Sequence, residues 1–266
     1  MTLKQQIAGA LADMRGSSPL IHCITNYVTA GDTANMLLAA GASPIMADDP
    51  SESAEITALA QGLTLNLGTP SGSRVEAMLR SGAEANRRGI PVVFDPVGAG
   101  CSGFRRNSAG EILRRVRLTA IRGNLSEISY LAGFESRENG VDSSETRIIA
   151  AEAAQTAAKK LGCVCAVTGE RDVISDGSRT VTILSGTPLL KKVTGAGCMT
   201  SALCAAMCTA ADGFVGAAAG IALMDICGEL AQERSGLPGS FRAALFDCAG
   251  SITPELLAER LEIYES

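Results

Sequence analysis

A glycine-rich segment at residues 193–200 has the composition of an anion-binding site. It reads Val-Thr-Gly-Ala-Gly-Cys-Met-Thr and opens an apolar, alanine-rich stretch with helical periodicity. Glycines allow a backbone to turn its N–H groups inward, and the N-terminus of a helix carries a partial positive charge. A phosphate is therefore the natural ligand for Gly195 and Gly197, while a glycine-rich turn without a ligand is the alternative. Cys198 falls in the first helical turn, where the local field is expected to lower the pKa of a thiol.

A second motif places Asp95 at the end of a strand. Residues 91–100 read Pro-Val-Val-Phe-Asp-Pro-Val-Gly-Ala-Gly, an apolar run that ends in an acid, a proline and glycines. Ligands of open α/β sheets bind at the carboxyl ends of strands, so Asp95 is placed where a metal-bound phosphate could meet it. Asp before Pro is also a common turn former, which is the structural alternative.

Two further strand ends carry polar residues. Residues 120–127 read Ala-Ile-Arg-Gly-Asn-Leu-Ser-Glu, a strand that runs into the head of a helix. Asn124 and Glu127 have the spacing of a capping box, yet Arg122 could bind a phosphate and Glu127 could order Mg²⁺ through water. Thr168 ends another strand, in Val-Thr-Gly-Glu at residues 167–170, and offers a hydroxyl to a nucleotide phosphate or else forms a polar turn.

Several other chemistries are disfavoured by the sequence. Neither a Walker A motif nor an early strand followed by Gly-x-Gly-x-x-Gly is present. The single histidine, His22, argues against a His-rich metal site and a Ser-His-Asp triad, and it is expected to be packed in a strand. Most of the nine cysteines lie in apolar runs without a Cys-x-x-Cys pair, which is typical of reduced core cysteines.

Short β-branched runs alternate with longer segments of helical period, a pattern typical of βα units and a mostly parallel sheet. The predicted strands are 20–25, 43–47, 63–67, 91–97, 120–124 and 164–169, and the predicted helices between them are 31–40, 52–61, 73–88, 108–117 and 144–161. Residues 173–184 contain a Ser-Asp-Gly-Ser-Arg hairpin signal, so antiparallel strands should finish the sheet. From residue 197 onward the chain reads as helix. The predicted fold class is α/β, with a mostly parallel central sheet, antiparallel edge strands and helices on both faces.

Composition limits the partners and the compartment. The net charge is −5 and no Lys/Arg run exceeds a pair, so nucleic acid is not an expected partner. The apolar stretches at 202–207 and 215–224 fall short of the roughly 20 residues of a membrane span, so no membrane partner is expected either. The N-terminus lacks a basic region followed by an apolar block, which predicts a cytoplasmic protein. No linker or repeat divides the 266 residues, which predicts a single α/β domain over 1–266.

The order of these motifs resembles the ribokinase-like kinases. In most of that superfamily the glycine-rich motif reads Gly-Ala-Gly-Asp with the Asp as base, whereas this chain has Cys198 at the last position. A cysteine at that position resembles the motif of the hydroxyethylthiazole kinase family. Two further segments resemble that family, His-Cys-Ile-Thr-Asn-Tyr-Val-Thr at residues 22–29 and Ser-Pro-Ile-Met-Ala at residues 43–47. The resemblance extends from about Leu20 to the C-terminal helices.

The resemblance implies an activity and a role for each residue. The primary hydroxyl of 4-methyl-5-(2-hydroxyethyl)thiazole would attack the γ-phosphate of ATP, giving the thiazole phosphate used in thiamine phosphate synthesis. It implies that Cys198 is catalytic and that the thiazole alcohol is bound by Asn26, Val28, Met46 and Gly195. ATP would be bound by Arg122, Asn124, Thr168 and Gly197, and Mg²⁺ by Asp95 and Glu127. Members of the family are homotrimers with active sites at subunit interfaces, where the Met46 segment faces the Cys198 segment of a neighbour.

Three other readings of the same motifs remain open. The first two are a pyrimidine kinase of the same pathway and an ATP-dependent dehydratase that repairs hydrated nicotinamide cofactors. The third is a nucleotide-sensing protein without catalysis, against which the presence of Cys198, Asn124 and Glu127 argues. ADP release that depends on the thiazole alcohol alone would separate these readings.

Overall fold

The computed structural model describes residues 1–134 and 143–265, and side chains outside residues 143–148. One sheet runs through these residues, and its strands in chain order are β1 Leu20–Ile24, β2 Ser43–Ile45, β3 Gly62–Asn66, β4 Val92–Asp95, β5 Ala120–Asn124, β6 Val164–Thr168, β7 Asp172–Ser175, β8 Thr180–Ile183 and β9 Ile263–Glu265. The spatial order is β2-β1-β3-β4-β5-β6-β7-β8-β9. β1 to β6 pair in parallel, and β7 to β9 continue the sheet antiparallel.

The helices cover both faces of this sheet. In chain order they are α1 Leu3–Ser17, α2 Ala30–Ala40, α3 Ser53–Leu59, α4 Gly72–Arg88, α5 Gly103–Arg115, α6 Leu125–Ala132, α7 Ser143–Leu161, α8 Ala196–Met207, α9 Gly213–Arg234, α10 Pro238–Ser251 and α11 Pro254–Arg260, with a 3₁₀ turn at Pro188–Lys192. Helices α1, α2 and α8 to α11 form the hydrophobic core on one face. Helices α4 to α7 form the core on the other, so the fold has three layers.

The parallel strands are mostly apolar because both of their faces are covered. In β4, Val93 packs into the core beneath α8 and α9, whereas Val92 and Phe94 pack into the opposite core. Successive side chains of a strand point to opposite faces, so a doubly covered strand favours hydrophobic residues at consecutive positions. Asp95 ends this run and is the first position at which β4 presents a charge.

The structure confirms the predicted fold class and strands, with ends that shift by one or two residues. The predicted hairpin is β7–β8, and its antiparallel pairing is confirmed. The sequence missed β9, a segment of only three residues that pairs with β8 and forms the edge of the sheet. The prediction that α5 begins at residue 108 is wrong, because the side chain of Ser102 caps a helix that begins at Gly103. The single-domain assignment stays a prediction.

Helix α9 is longer and more apolar than the sequence pattern indicated. Among the described residues it is the helix with the length and composition of a membrane span, with a mean hydropathy of 1.6, yet 89% of that apolar window is buried inside the protein. It packs closely against α8, since a Cβ atom on Gly220 would lie 2.4 Å from the backbone nitrogen of Cys204. The prediction that this apolar run falls short of a membrane span was therefore too strict. The burial identifies α9 as a core helix that supports α8.

Candidate active site

The polar residues at the ends of the parallel strands meet at one edge of the sheet. Asn66, Asp95, Asn124 and Thr168 are the last residues of β3, β4, β5 and β6, and Asn26 follows β1 by two residues. Because β1 to β6 are parallel and adjacent, their carboxyl ends share this edge. The fold therefore brings together side chains that lie more than a hundred residues apart in the chain.

The N-terminus of α8 lies over the same edge. Its N-cap, Gly195, has φ +88°, and a Cβ atom there would lie 2.6 Å from Cγ2 of Thr29, so this position requires glycine. Among residues 1–134 and 149–265, no side chain caps the helix. Among the described residues, the backbone N–H groups of Gly197 and Cys198 have no acceptor, as is usual for the first turn of a helix. These N–H groups are available to an anion.

Arg122 adds a cation next to this helix N-terminus. Its Nη2 donates to Oγ1 of Thr168, and its Nη1 lies 3.8 Å from Oδ2 of Asp95. A Cβ atom on Gly197 would lie 2.5 Å from Nη1, so the guanidinium packs directly on the backbone of the first helical turn. A cation at this end of a helix opposes the helix dipole. An anion held between the two would satisfy both, and a nucleotide phosphate has that chemistry.

Asp95 is a buried carboxylate with one oxygen still unpaired. Its Oδ2 accepts hydrogen bonds from Nδ2 of Asn66 at 2.9 Å and from Oγ of Ser201 at 2.8 Å. Its Oδ1 is buried and has no hydrogen-bond partner within the part of the chain that the structure describes. Burial raises the pKa of this carboxyl to about 6, and the nearby charge of Glu127 adds to the rise while Arg122 opposes it. The free oxygen is suited to an incoming cation or proton donor.

Cys198 accepts two hydrogen bonds at its sulfur. Nδ2 of Asn26 and Nδ2 of Asn66 both lie 3.3 Å from Sγ. The prediction that the helix N-terminus lowers the pKa of this thiol is wrong. Burial and the charge of Asp95 raise its pKa and outweigh the lowering effect of the Thr29 side chain and the two amide donors. The group is therefore a neutral thiol at neutral pH.

Asn124 and Glu127 form the capping box that the sequence left as one alternative. The side chain of Asn124 accepts from the Glu127 N–H at 2.9 Å, and Oε2 of Glu127 accepts from the Asn124 N–H at 2.8 Å. In addition, Oε1 of Glu127 accepts from the backbone N–H of Gly98 at 2.8 Å. Glu127 thereby joins the head of α6 to the loop after β4. Each of its oxygens still has a second lone pair for a water molecule.

Two of the expected substrate residues lie outside this network. The side chains of Val28 and Met46 are 58% and 38% exposed, in contrast to the buried Asn26. Met46 follows β2, and the next residue is fixed by His22, whose Nε2 lies 2.8 Å from the carbonyl oxygen of Ala47. His22 is buried, which confirms the expectation of a packed strand histidine.

Sequence reasoning missed two members of the network, Asn66 and Ser201. Asn66 is 1% exposed and contacts both Asp95 and Cys198. Its signal in the sequence was a polar residue that interrupts the leucine alternation at the end of β3. Ser201 lies one turn after Cys198 and had no comparable signal.

Comparisons with known proteins agree with this geometry. The chain matches the model of the hydroxyethylthiazole kinase family over residues 11–255. It is 47% identical to a hydroxyethylthiazole kinase of Ruminiclostridium cellulolyticum over 98% of both chains, and 45% identical to one of Clostridium beijerinckii over 98% of this chain and 97% of the relative. Its structure resembles that of a hydroxyethylthiazole kinase from Pyrococcus horikoshii, with a TM-score of 0.91, 35% identity and 98% coverage of both chains. A pyridoxal kinase from Staphylococcus aureus, 13% identical with a TM-score of 0.64 over 93% of this chain and 98% of the other, shares the fold.

Proposed function

The chain belongs to the hydroxyethylthiazole kinase family, and on that premise we propose that it transfers the γ-phosphate of ATP to the hydroxyl of 4-methyl-5-(2-hydroxyethyl)thiazole. The observation that carries the proposal is the first turn of α8. There, unpaired N–H groups, the guanidinium of Arg122 and the free oxygen of Asp95 converge on one edge of the sheet. The product would be the thiazole phosphate used in thiamine biosynthesis.

The nucleotide would lie across the ends of β5 and β6. Arg122 would donate to its phosphates, and the hydroxyl of Thr168 and the polar end of Asn124 would line the same edge. The backbone at Gly197 would receive the charge of the transferring group, because N–H groups at a helix N-terminus are already oriented toward an anion. Phosphoryl transfer relies mainly on such positioning and electrostatic stabilisation.

The residues present fit a magnesium ion carried by the nucleotide. Mg²⁺ prefers oxygen ligands and is usually held by one or two carboxylates together with substrate phosphates. The unpaired, buried Oδ1 of Asp95 supplies one such oxygen, and Glu127 could order the ion through water because its oxygens already accept backbone N–H groups. When bound, the ion would neutralise phosphate charge during transfer.

Cys198 and Gly195 would hold the acceptor alcohol at the N-terminus of α8. A neutral thiol whose sulfur already accepts two amide N–H groups can donate its own proton to the substrate hydroxyl oxygen. It is a weak base in that state, so Cys198 would orient the alcohol more than deprotonate it. Asn26, held between Asn66 and Cys198, would border the thiazole ring.

We also propose a homotrimer whose active sites lie between subunits. Val28 and Met46 are apolar and exposed in the isolated chain, as expected if a neighbour covers them and completes the thiazole site. Mixing Met46→Arg subunits with Asp95→Asn subunits would then form some sites in which both positions are wild type. Recovery of activity after reassembly supports shared sites, and verified mixing without recovery contradicts them.

The compartment and domain organisation remain proposals as well. We propose that residues 1–266 form one kinase domain and that the protein acts in the cytoplasm. All nine cysteines are free, and most are buried, which suits a reducing compartment.

A coupled ADP-release assay with matched acceptors tests the proposed activity. The purified chain is incubated with MgATP and either the thiazole alcohol, the aminopyrimidine alcohol of the same pathway, hydrated NADH, or no acceptor. We expect ADP formation that depends on the thiazole alcohol, together with a phosphorylated thiazole detected by mass spectrometry. ADP formation with the pyrimidine alcohol or hydrated NADH, but not with the thiazole, would replace the proposal by one of those activities.

A further inference from the structure

Asn66 lies at the centre of the polar network, and its orientation is fixed by the structure. The side chain is 1% exposed. Its Oδ1 accepts from the backbone N–H of Gly68 at 2.9 Å and from Nδ2 of Asn26 at 3.1 Å. A backbone N–H can only donate, so the atom facing Gly68 must be the oxygen. The amide NH₂ therefore faces the opposite side.

That NH₂ group joins two elements that approach the site from different parts of the chain. Nδ2 donates to Oδ2 of Asp95 on β4 at 2.9 Å and to Sγ of Cys198 on α8 at 3.3 Å. An amide nitrogen has two hydrogens, so these two bonds use its full donor capacity. Asn66 thus fixes the carboxylate relative to the thiol.

The space around the amide is closely fitted. A Cβ atom on Gly68 would lie 2.8 Å from both Oδ1 of Asn66 and Nδ2 of Asn26. The loop after β3 therefore needs glycine here to let its backbone N–H reach the amide oxygen. A buried side chain with every polar atom bonded is rigid, because moving it would leave buried polar groups unpaired.

We propose that Asn66 is a positioning residue for phosphoryl transfer: it holds the Asp95 carboxylate and the Cys198 thiol in one arrangement beside the N-terminus of α8. This inference rests on the proposed function for the reaction that it assists. It extends beyond that function by giving a role to a residue that does not itself need to touch either substrate.

The test compares Asn66→Asp with Thr64→Val. An aspartate at 66 keeps an oxygen for Gly68 and Asn26 at nearly constant volume, but it replaces the NH₂ donor by a carboxylate oxygen that faces Oδ2 of Asp95. Thr64 lies two residues earlier on the same strand, is buried, and has a hydroxyl without a partner among the described residues, so its valine variant is a matched control. Asn66→Ala, which removes the donor without adding a charge, is measured alongside.

Two readouts distinguish positioning from a general loss of structure. We expect kcat to fall about 10- to 100-fold in Asn66→Asp while KM for ATP stays within about twofold, because Arg122 and Thr168 are unchanged. Alkylation of Cys198 by iodoacetamide should slow about fivefold, because the thiolate loses one amide donor. Alkylation is measured in a Cys101→Ser, Cys163→Ser background, which removes the other two cysteines that are not buried. Thr64→Val should match wild type in both readouts.

Wild-type kcat in either Asn66 variant, or unchanged alkylation in a folded Asn66→Asp protein, would overturn the proposal. So would a loss of kcat that follows only a lowered Tm and disappears at lower temperature. If the wild-type chain does not phosphorylate the thiazole alcohol, the proposed function fails, while the alkylation comparison still decides whether Asn66 holds the thiol.

Discussion

Asp95 at the end of β4 and Glu127 in the first turn of α6, just after β5, look alike in the sequence and differ in the structure. Asp95 is buried, accepts two side-chain hydrogen bonds at one oxygen and, among the described residues, has no partner at the other. Glu127 accepts a backbone N–H at each oxygen and joins the head of α6 to the loop after β4. The comparison shows that remaining hydrogen-bonding capacity, more than position at a strand end, separates a carboxylate able to contact a ligand directly from one that can reach it only through water.

The pKa of Asp95 supports the same distinction. Burial raises the pKa of this carboxyl to about 6, so the fold keeps it in a position that is unfavourable for its charge. Groups whose ionisation is disfavoured by burial, in a cleft with a specific partner, are typical of functional sites. Glu127, by contrast, stabilises a helix start and a loop in the manner of an ordinary cap.

The largest effect is expected for Asp95→Asn. The amide keeps an oxygen that can accept from Asn66 and Ser201, but it removes the anionic oxygen available to MgATP. We expect kcat/KM for ATP to fall by about 100-fold or more while the protein remains folded. A buried charged group at a phosphoryl-transfer site contributes strongly to stabilising the transition state. The coupled ADP assay and a thermal melt measure both quantities. Near-wild-type turnover in Asp95→Asn would contradict the distinction from Glu127.

A smaller effect is expected for Glu127→Gln, which removes the charge and one of two accepting oxygens. The glutamine keeps an acceptor for one of the two backbone N–H groups, sets an NH₂ against the other, and loses the negative charge that could order Mg²⁺ through water. We expect the Mg²⁺ concentration for half-maximal activity to rise about tenfold, together with a modest fall in Tm because one backbone N–H loses its acceptor. The measurement is a Mg²⁺ titration at saturating substrates. An unchanged Mg²⁺ requirement would leave Glu127 as a cap alone.

The smallest effect is the pH dependence of folding stability that Asp95 contributes. Its folded-state pKa of about 6 lies above the value of an unfolded aspartate, so the ionised form destabilises the folded chain at neutral pH. This penalty is relieved as pH falls through about 6 toward the unfolded pKa. We expect the free energy of unfolding of wild type, relative to that of Asp95→Asn, to rise by about 1 kcal/mol when the pH is lowered from about 7.5 to about 5. Urea unfolding at both pH values measures it; a gap independent of pH would contradict the raised pKa.

Much of the fold could be predicted because it follows from local patterns. Apolar runs of strand length and helical periods place β1 to β8 within one or two residues, and the hairpin signal places the antiparallel turn. The segment Ile263–Glu265 was missed because three residues carry no periodicity, and only pairing with β8 makes it a strand. Ser102 was missed as a cap because a charged helical turn follows it.

The candidate site was predictable as a set of strand ends but not as a network. Asp95 and Thr168 end apolar strands, Arg122 lies two residues before the end of β5, and parallel order brings such ends together. Asn66 and Ser201 depend on how α8 lies over β3 and β4, which no local pattern specifies. The predicted direction of the Cys198 pKa shift was wrong for the same reason. Its burial and its distance from Asp95 are tertiary properties.

The central claim is that the first turn of α8 is where the phosphate meets its acceptor, and Cys198→Asp tests it most directly. Two amide N–H groups already point at the position of Sγ and would donate to a carboxylate oxygen there, while burial and the charge of Asp95 oppose its ionisation. The measurement is kcat with the thiazole alcohol, together with Tm, for Cys198→Asp, Cys198→Ser and Cys198→Ala. The account predicts a folded, active Asp variant and an Ala variant with reduced turnover, since the anion site remains. An unfolded, inactive Asp variant beside a fully active Ala variant would show that Cys198 serves only packing.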